Sequence, residues 1–293
     1  MVETNYRQSF KAAIARIYHT SGAIVGAGFL VSERYLLTCA HVVTAALGIP
    51  TETAEVPSLS LELDFPLIAP EQKIKAKVVF WQAVNPPQTG EDIAGLELES
   101  FPPVESESVR LVVTDEFWNH PFQIFGFPSQ RDVGIWASGV LRDRLSNGWI
   151  QMEDIKAQGY AVQPGFSGAP VWDEQLQGVV GMAVAAEKKR EEAKAAFMIP
   201  VSVLDSVWTA LDQWVVQVGS KGASGSETAF DFRQVQLTEK RKYWSVLVEK
   251  WKAAHNQLSF VLNRADAVSL EQQLKTLEQD IIQVEQEIKN LGG

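Results

Sequence analysis

Short, mostly apolar runs broken by polar turns fill the chain up to about residue 215. Ala27-Gly28-Phe29-Leu30-Val31 and Tyr35-Leu36-Leu37-Thr38 flank Ser32-Glu33-Arg34, a pattern that predicts two buried strands joined by a turn. Asp92-Ile93-Ala94-Gly95-Leu96-Glu97-Leu98 predicts another strand, opening after the turn-forming Pro86-Pro87-Gln88-Thr89-Gly90. Ala169-Pro170-Val171-Trp172 predicts a further one. The spacing then lengthens: Val203, Leu204, Val207, Trp208, Leu211 and Trp214 recur as on a helix. Gly219-Ser220-Lys221-Gly222-Ala223-Ser224-Gly225-Ser226 has the composition of a flexible linker.

Beyond it, Trp244, Leu247, Val248, Trp251, Leu258, Val261 and Leu262 share one helical face. Asn263-Arg264-Ala265-Asp266 predicts a break, and Ser269 with Gln272 a capping box for a second helix. There Leu270, Leu274, Leu277, Ile281, Val284, Ile288 and Leu291 alternate by four and three, the spacing of a coiled-coil seam. The expected organisation is a β-rich body over 1–215, a linker over 216–236 and a helical hairpin over 237–293. So small a hairpin buries too little to be comfortably stable alone, so it is expected to bind a partner protein or associate with itself.

Composition narrows the functional classes. The net charge of −10 lies wholly in residues 1–236, because 237–293 carries eight basic and eight acidic side chains. An acidic body argues against nucleic-acid binding, which needs Lys and Arg against phosphate. Lys188-Lys189-Arg190, interrupted by neighbouring glutamates, reads as a solvated hairpin tip. The single cysteine, Cys39, excludes an internal disulfide and a cysteine-based zinc site. Met1–Gln8 has no apolar stretch of a signal peptide, and no segment approaches the length of a membrane span. A cytoplasmic protein without cofactor or metal is expected. His19, His120 and His255 have no neighbours at ligand spacing and are assigned no chemistry.

Three segments carry chemistry. His41 follows a buried strand, Asp92 opens another, and Ser167 stands between Gly165 and Gly168. A hydroxyl is a poor nucleophile until an imidazole can take its proton and a carboxylate holds that imidazole in the right tautomer. Glycine two positions before the serine lets the N–H groups of Gly165 and Ser167 point at one spot, as oxyanion stabilisation requires.

These segments resemble the trypsin/chymotrypsin-like serine peptidases, in particular the disulfide-free bacterial branch that includes the high-temperature-requirement proteases. Gly126-Phe127-Pro128, Ser138-Gly139-Val140-Leu141, Gly178-Val179-Val180-Gly181-Met182-Ala183 and Phe197-Met198-Ile199-Pro200 are similar to that branch's later strands. The resemblance implies a mainly β fold of two antiparallel barrels with the site between them, followed by the helical hairpin. It implies His41 as general base, Asp92 as its orienting carboxylate, Ser167 as nucleophile and the Gly165 and Ser167 N–H groups as oxyanion hole. It implies Ala161 at the floor of the specificity pocket, Gly181, Met182 and Ala183 pairing with substrate backbone, and Phe197 and Ile199 on the pocket wall. An alanine floor leaves nothing to pair with lysine or arginine, so a small or medium apolar residue is expected before the cut. Phe166 stands where secreted trypsins have an aspartate, so activation by propeptide removal is not implied. The tail resembles, more loosely, the effector-associated modules of bacterial conflict systems. Two other readings fit the same residues: an idle protease fold used for binding, and a degradative protease whose tail only oligomerises it.

Overall fold

The computed structural model describes residues 6–84, 92–154, 159–186, 195–218, 232–258 and 264–292, and the chain divides into two units, Met1–Gly222 and Ala223–Gly293. In the first unit a short helix, α1 (Tyr6–Ala12), leads into β1 (Ile14–Tyr18), β2 (Ile24–Leu30) and β3 (Tyr35–Thr38). Helix α2 (Ala40–Leu47) follows, then β4 (Leu61–Phe65), β5 (Ala69–Gln82) and β6 (Ile93–Leu98). The six strands pair antiparallel in the order β1-β2-β3-β6-β5-β4, and pairing of β1 with β4 closes them into a barrel. Closure leaves the barrel no free edge. On β5, Ile74, Ala76 and Val78 are buried and Lys73, Lys75 and Lys77 exposed, the alternation of a strand with one face inward. The two strands expected around Ser32-Glu33-Arg34 are β2 and β3, and the Ser32 hydroxyl holds their turn by accepting the Tyr35 N–H at 3.2 Å.

The second half supplies β7 (Leu111–Val113), β8 (Pro121–Gly126), β9 (Ile135–Arg144), β10 (Ile150–Glu153), β11 (Pro170–Asp173), β12 (Gly178–Ala186) and β13 (Ala195–Pro200). Six of these run in the order β11-β8-β9-β10-β13-β12, and pairing of β11 with β12 closes a second antiparallel barrel. Helix α3 (Val201–Val207) and a 3-10 turn at Thr209–Trp214 follow, then β14 (Val215–Gln217). Strands β7 and β14 lie parallel alongside β12, outside the closed ring.

The segment after the second barrel returns to the first. Trp208 stacks on Phe80 of β5 with ring centroids 5.4 Å apart and meets Tyr35 of β3 edge-on at 6.1 Å. Its ring occupies the space where Gly95 of β6 would carry a side chain: a Cβ there would lie 2.6 Å from it. Trp208 and Leu211 thus join the buried core that runs through both barrels.

In the second unit, α4 (Phe232–Leu258) and α5 (Arg264–Gly292) pack antiparallel, with Lys240 against Glu287 at 2.5 Å and the Trp251 indole N–H donating to Glu278 at 3.1 Å. Leu247, Leu274 and Val284 are its buried side chains among the described residues. Leu270, Leu277 and Ile281 are half-buried on the same stripe. Two boundary expectations are corrected. Helix α5 begins at Arg264, so Ser269 lies inside it, exposed, and does not cap it; Arg264 and Ala265 are good helix formers and extend the helix backwards. Structure also enters the expected linker from both ends, as Val216 and Gln217 pair in β14 and α4 starts at Phe232. The Gly/Ser run, Val261, Leu262 and the Lys188-Lys189-Arg190 cluster lie outside the described residues. Among the described residues no helix is long and apolar enough to cross a membrane.

Candidate active site

His41 is the second residue of α2, directly after the buried end of β3. Its main-chain N–H, one of the donors a helix start leaves without an internal partner, donates to Asp92 Oδ1 at 2.9 Å. Its ring Nδ1 lies 2.7 Å from Asp92 Oδ2. An ionised carboxylate can only accept, so Nδ1 carries the hydrogen and Nε2 is left with its lone pair. Asp92 is 7% exposed and immediately precedes β6. Its φ of 74° is an uncommon conformation outside glycine, one that aspartate tolerates better than most residues. Its own N–H donates to the Gln82 carbonyl at 3.1 Å, so β5 fixes the aspartate and the aspartate fixes the histidine.

Cys39 fills the space behind this pair. Its thiol donates to the Ala183 carbonyl at 3.3 Å, and burial, then the charge of Asp92, push it well above the usual thiol range. The ligand atoms of Cys39, His41 and Asp92 lie within 4.8 Å of one another, the one such grouping found among the described residues. Of these groups the thiol donates to Ala183 and the imidazole N–H to the carboxylate.

Ser167 reaches the same seam from the second barrel. The peptide units around it are pinned one after another. The Gly165 carbonyl accepts from the Phe127 N–H at 2.8 Å and the Phe166 N–H donates to the Gln163 carbonyl at 3.1 Å. The Phe166 carbonyl accepts from Ala169 at 3.0 Å, and the Ser167 carbonyl accepts from Ala27 of β2 at 2.9 Å. The Gly168 N–H completes the set by donating at 2.8 Å to Ala183, the carbonyl that also takes the Cys39 thiol. Among these bonds the N–H groups of Gly165 and Ser167 are not used. Gly165 has φ of 105° and Gly168 of 81°, and a Cβ on either would come within 2.4 Å or 2.1 Å of a backbone oxygen, that of Phe127 or of Ala27. No other residue fits this turn without moving it. The Ser167 carbonyl and the Val42 side chain both crowd Gly26, so Ser167 sits beside the residue that follows His41. Among the described residues no hydrogen bond joins the Ser167 hydroxyl to His41; such bonds are often long until substrate is bound.

Phe166 is 1% exposed and packs against Gly126 at the end of β8. An apolar anchor therefore holds the turn where an aspartate would need an ion-pair partner.

The expected substrate-binding residues divide. Ala161 and Phe197 are half-buried, Phe197 with its ring centroid 6.5 Å from that of Trp149. Gly181, Met182 and Ala183 do not present a free strand edge. Gly181 and Met182 pair with β11 on one side and β13 on the other, and both main-chain groups of Ala183 are bonded to Gly168 and Ala169. Among the described residues no strand pairs with β12 beyond Ala183 on the β11 side, at Val184, Ala185 and Ala186, while β13 pairs with Ala185 and Ala186 on the other side. Ile199 is fully enclosed opposite Met182, so it cannot wall an open pocket. The uniformly apolar run Gly181–Ala186 gave no signal of where the neighbouring strand ends. His120, assigned no chemistry from sequence, holds the buried carboxylate of Asp173 at 2.7 Å and ties β8 to β11, a structural role.

A double antiparallel barrel carrying a histidine–carboxylate pair on one barrel and a glycine-flanked serine turn on the other is the architecture of the chymotrypsin-type serine proteases. The trypsin-like peptidase domain family matches residues 26–182, more than half of the chain, and the chain belongs to that family. Effector-associated domain 9 matches residues 231–291, the helical unit. Among solved structures, the HtrA-type protease AlgW with tripeptide is similar at a TM-score of 0.52 and 20% identity, over 70% of this chain and 63% of that one. The serine endoprotease from Yersinia pestis is similar at 0.49 and 18% identity, over 72% and 68%. The chain thus spans less than two thirds of AlgW. No curated protein matches it.

Proposed function

We propose that this chain is an intracellular serine endopeptidase that cleaves proteins through an acyl-enzyme and is recruited or controlled through its helical unit, in a bacterial defence or signalling system. The observation that carries the catalytic part is the doubly bonded Asp92–His41 pair, with the Ser167 turn of the second barrel brought against Gly26 and Ala27 of β2 beside Val42. His41 Nε2 takes the Ser167 proton as the hydroxyl attacks the scissile carbonyl, and returns it to the leaving amine. Asp92 stabilises the imidazolium formed between. The N–H groups of Gly165 and Ser167 receive the oxyanion, an effect of about 3–4 kcal/mol per donor in related chemistry. Ala161, uncharged, suits a small or medium apolar residue before the cut, and Phe197 lines the approach to it. Val184–Ala186 offers the substrate backbone a strand edge.

Support for the second part is the match of residues 231–291 to an effector-associated domain. Protein is the substrate and a protein, or a second copy of the helical unit, the partner; no nucleic acid, cofactor or metal enters this scheme. A fluorophosphonate probe should label the full-length chain and fail to label Ser167→Ala. An unlabelled wild-type chain, tested with and without a candidate partner, would leave the fold without the chemistry.

A further inference from the structure

Arg16 projects from β1 with its side chain only 10% exposed and meets the fully buried Asp64 of β4 through two parallel bonds, Nε to Oδ1 at 3.0 Å and Nη2 to Oδ2 at 2.6 Å. Asp64 also accepts the Glu71 N–H at 2.7 Å and the Tyr18 hydroxyl at 3.0 Å. These bonds would complete an ion pair within the first barrel. The guanidinium has one more arm, and it leaves that barrel: Nη1 donates at 2.6 Å to the carbonyl of Asp132. Asp132 belongs to the loop between β8 and β9 of the second barrel.

That loop backs the serine turn. It starts at Phe127, whose N–H holds the Gly165 carbonyl, and continues through Pro128, whose Cα lies 2.5 Å from where a Cβ on Gly165 would be. Turn bonds from Arg131 to Pro128 and from Gly134 to Arg131 make it one piece. The guanidinium carbon also lies 5.9 Å from the Phe127 ring centroid. One cation thus touches the loop at both ends.

We propose that Arg16 is a positioning residue for the acylation step: from the first barrel it sets the 127–134 loop, and through that loop the orientation of the Gly165 peptide. This rests on the peptidase reading above. Stability alone does not account for the arrangement, because a buried ion pair is commonly no more stabilising than an apolar pair of the same size. A rigid fork with donors on three sides is needed to hold a carboxylate and a carbonyl at once, which lysine cannot do. With Phe166 in the turn there is no acid there for an ion pair to orient, and the loop behind it is the remaining handle. Burial would lower the guanidinium, but the bonds to and charge of Asp64 outweigh it and raise it, so the charge persists at any working pH.

The test uses the full-length chain, a fluorophosphonate probe and a peptide p-nitroanilide with valine before the cut. Arg16→Lys keeps the charge beside Asp64 and gives up the reach to Asp132. The expected result is an unchanged melting temperature, a KM within about twofold, and a kcat and labelling rate reduced about 10–100-fold, the signature of an interaction used only in the transition state. Equal kcat and labelling rate in wild type and a folded Arg16→Lys would overturn the inference while leaving the peptidase reading intact; a wild-type chain that never labels fails that reading instead. Should Arg16→Lys not fold, Arg16→Gln with Asp64→Asn, which removes both charges together, is measured the same way. If neither variant folds, Arg16 is a stability element and the inference is overturned.

Discussion

Single residues hold this site by conformations that few side chains can adopt. Gly165 and Gly168 were legible in the sequence because a Gly-x-Ser-Gly run has few other uses beside an upstream histidine and aspartate. The left-handed backbone of Asp92 and the service of its two oxygens to both His41 N–H groups were not, because they depend on a partner 51 positions away. Tyr18 gives a residue-scale prediction. Burial, then the charge and hydrogen bond of Asp64, push its phenol up to about 12, against 10 when unfolded. A raised acid is neutral in both states below pH 10 and ionises only in the unfolded chain between 10 and 12, so its contribution to stability is complete below that window and lost across it. Denaturant melts of wild type and Tyr18→Phe should differ by about 1 kcal/mol at pH 8, and that difference should shrink as the pH rises above 10 and be gone before 12.

At the scale of elements, the alternating pattern predicted strands well and their edges poorly. The strands β2, β3, β6 and β11 stand where apolar runs placed them. The free edge of β12 does not, because a run that is apolar throughout does not say which of its residues have a partner on both sides. Ser269 failed as a cap for a related reason: its local motif is sound, but the helix has good formers upstream and continues through it. The segment after β13 looked like an ordinary amphipathic helix, yet Trp208 within it packs on β3, β5 and β6 of the other barrel. Trp208→Ala should cost about 3–5 kcal/mol through the cavity left on Phe80 and Gly95. Differential scanning calorimetry should then show the main transition lowered by about 10 °C, with the helical unit unaffected.

At the scale of the whole molecule, β14 closes the first unit by pairing with β7 just before the chain leaves it. A chain ending at Gly222 should therefore fold with the same main transition as the full protein, within about 2 °C by calorimetry. The isolated unit 223–293, with few fully buried side chains, should lose helical circular dichroism on dilution. The sequence by itself determined the chemistry-bearing residue types, the β-rich body and the helical tail, because local pattern and short motifs specify strand, turn and helix. Only the tertiary structure decided which residues face each other across the barrels: the shared Ala183 carbonyl, the open stretch of β12, and an arginine of β1 reaching the loop behind the serine. Barrel closure brings together residues far apart along the chain, and the geometry of such a meeting is a property of the packed whole that no window of sequence contains.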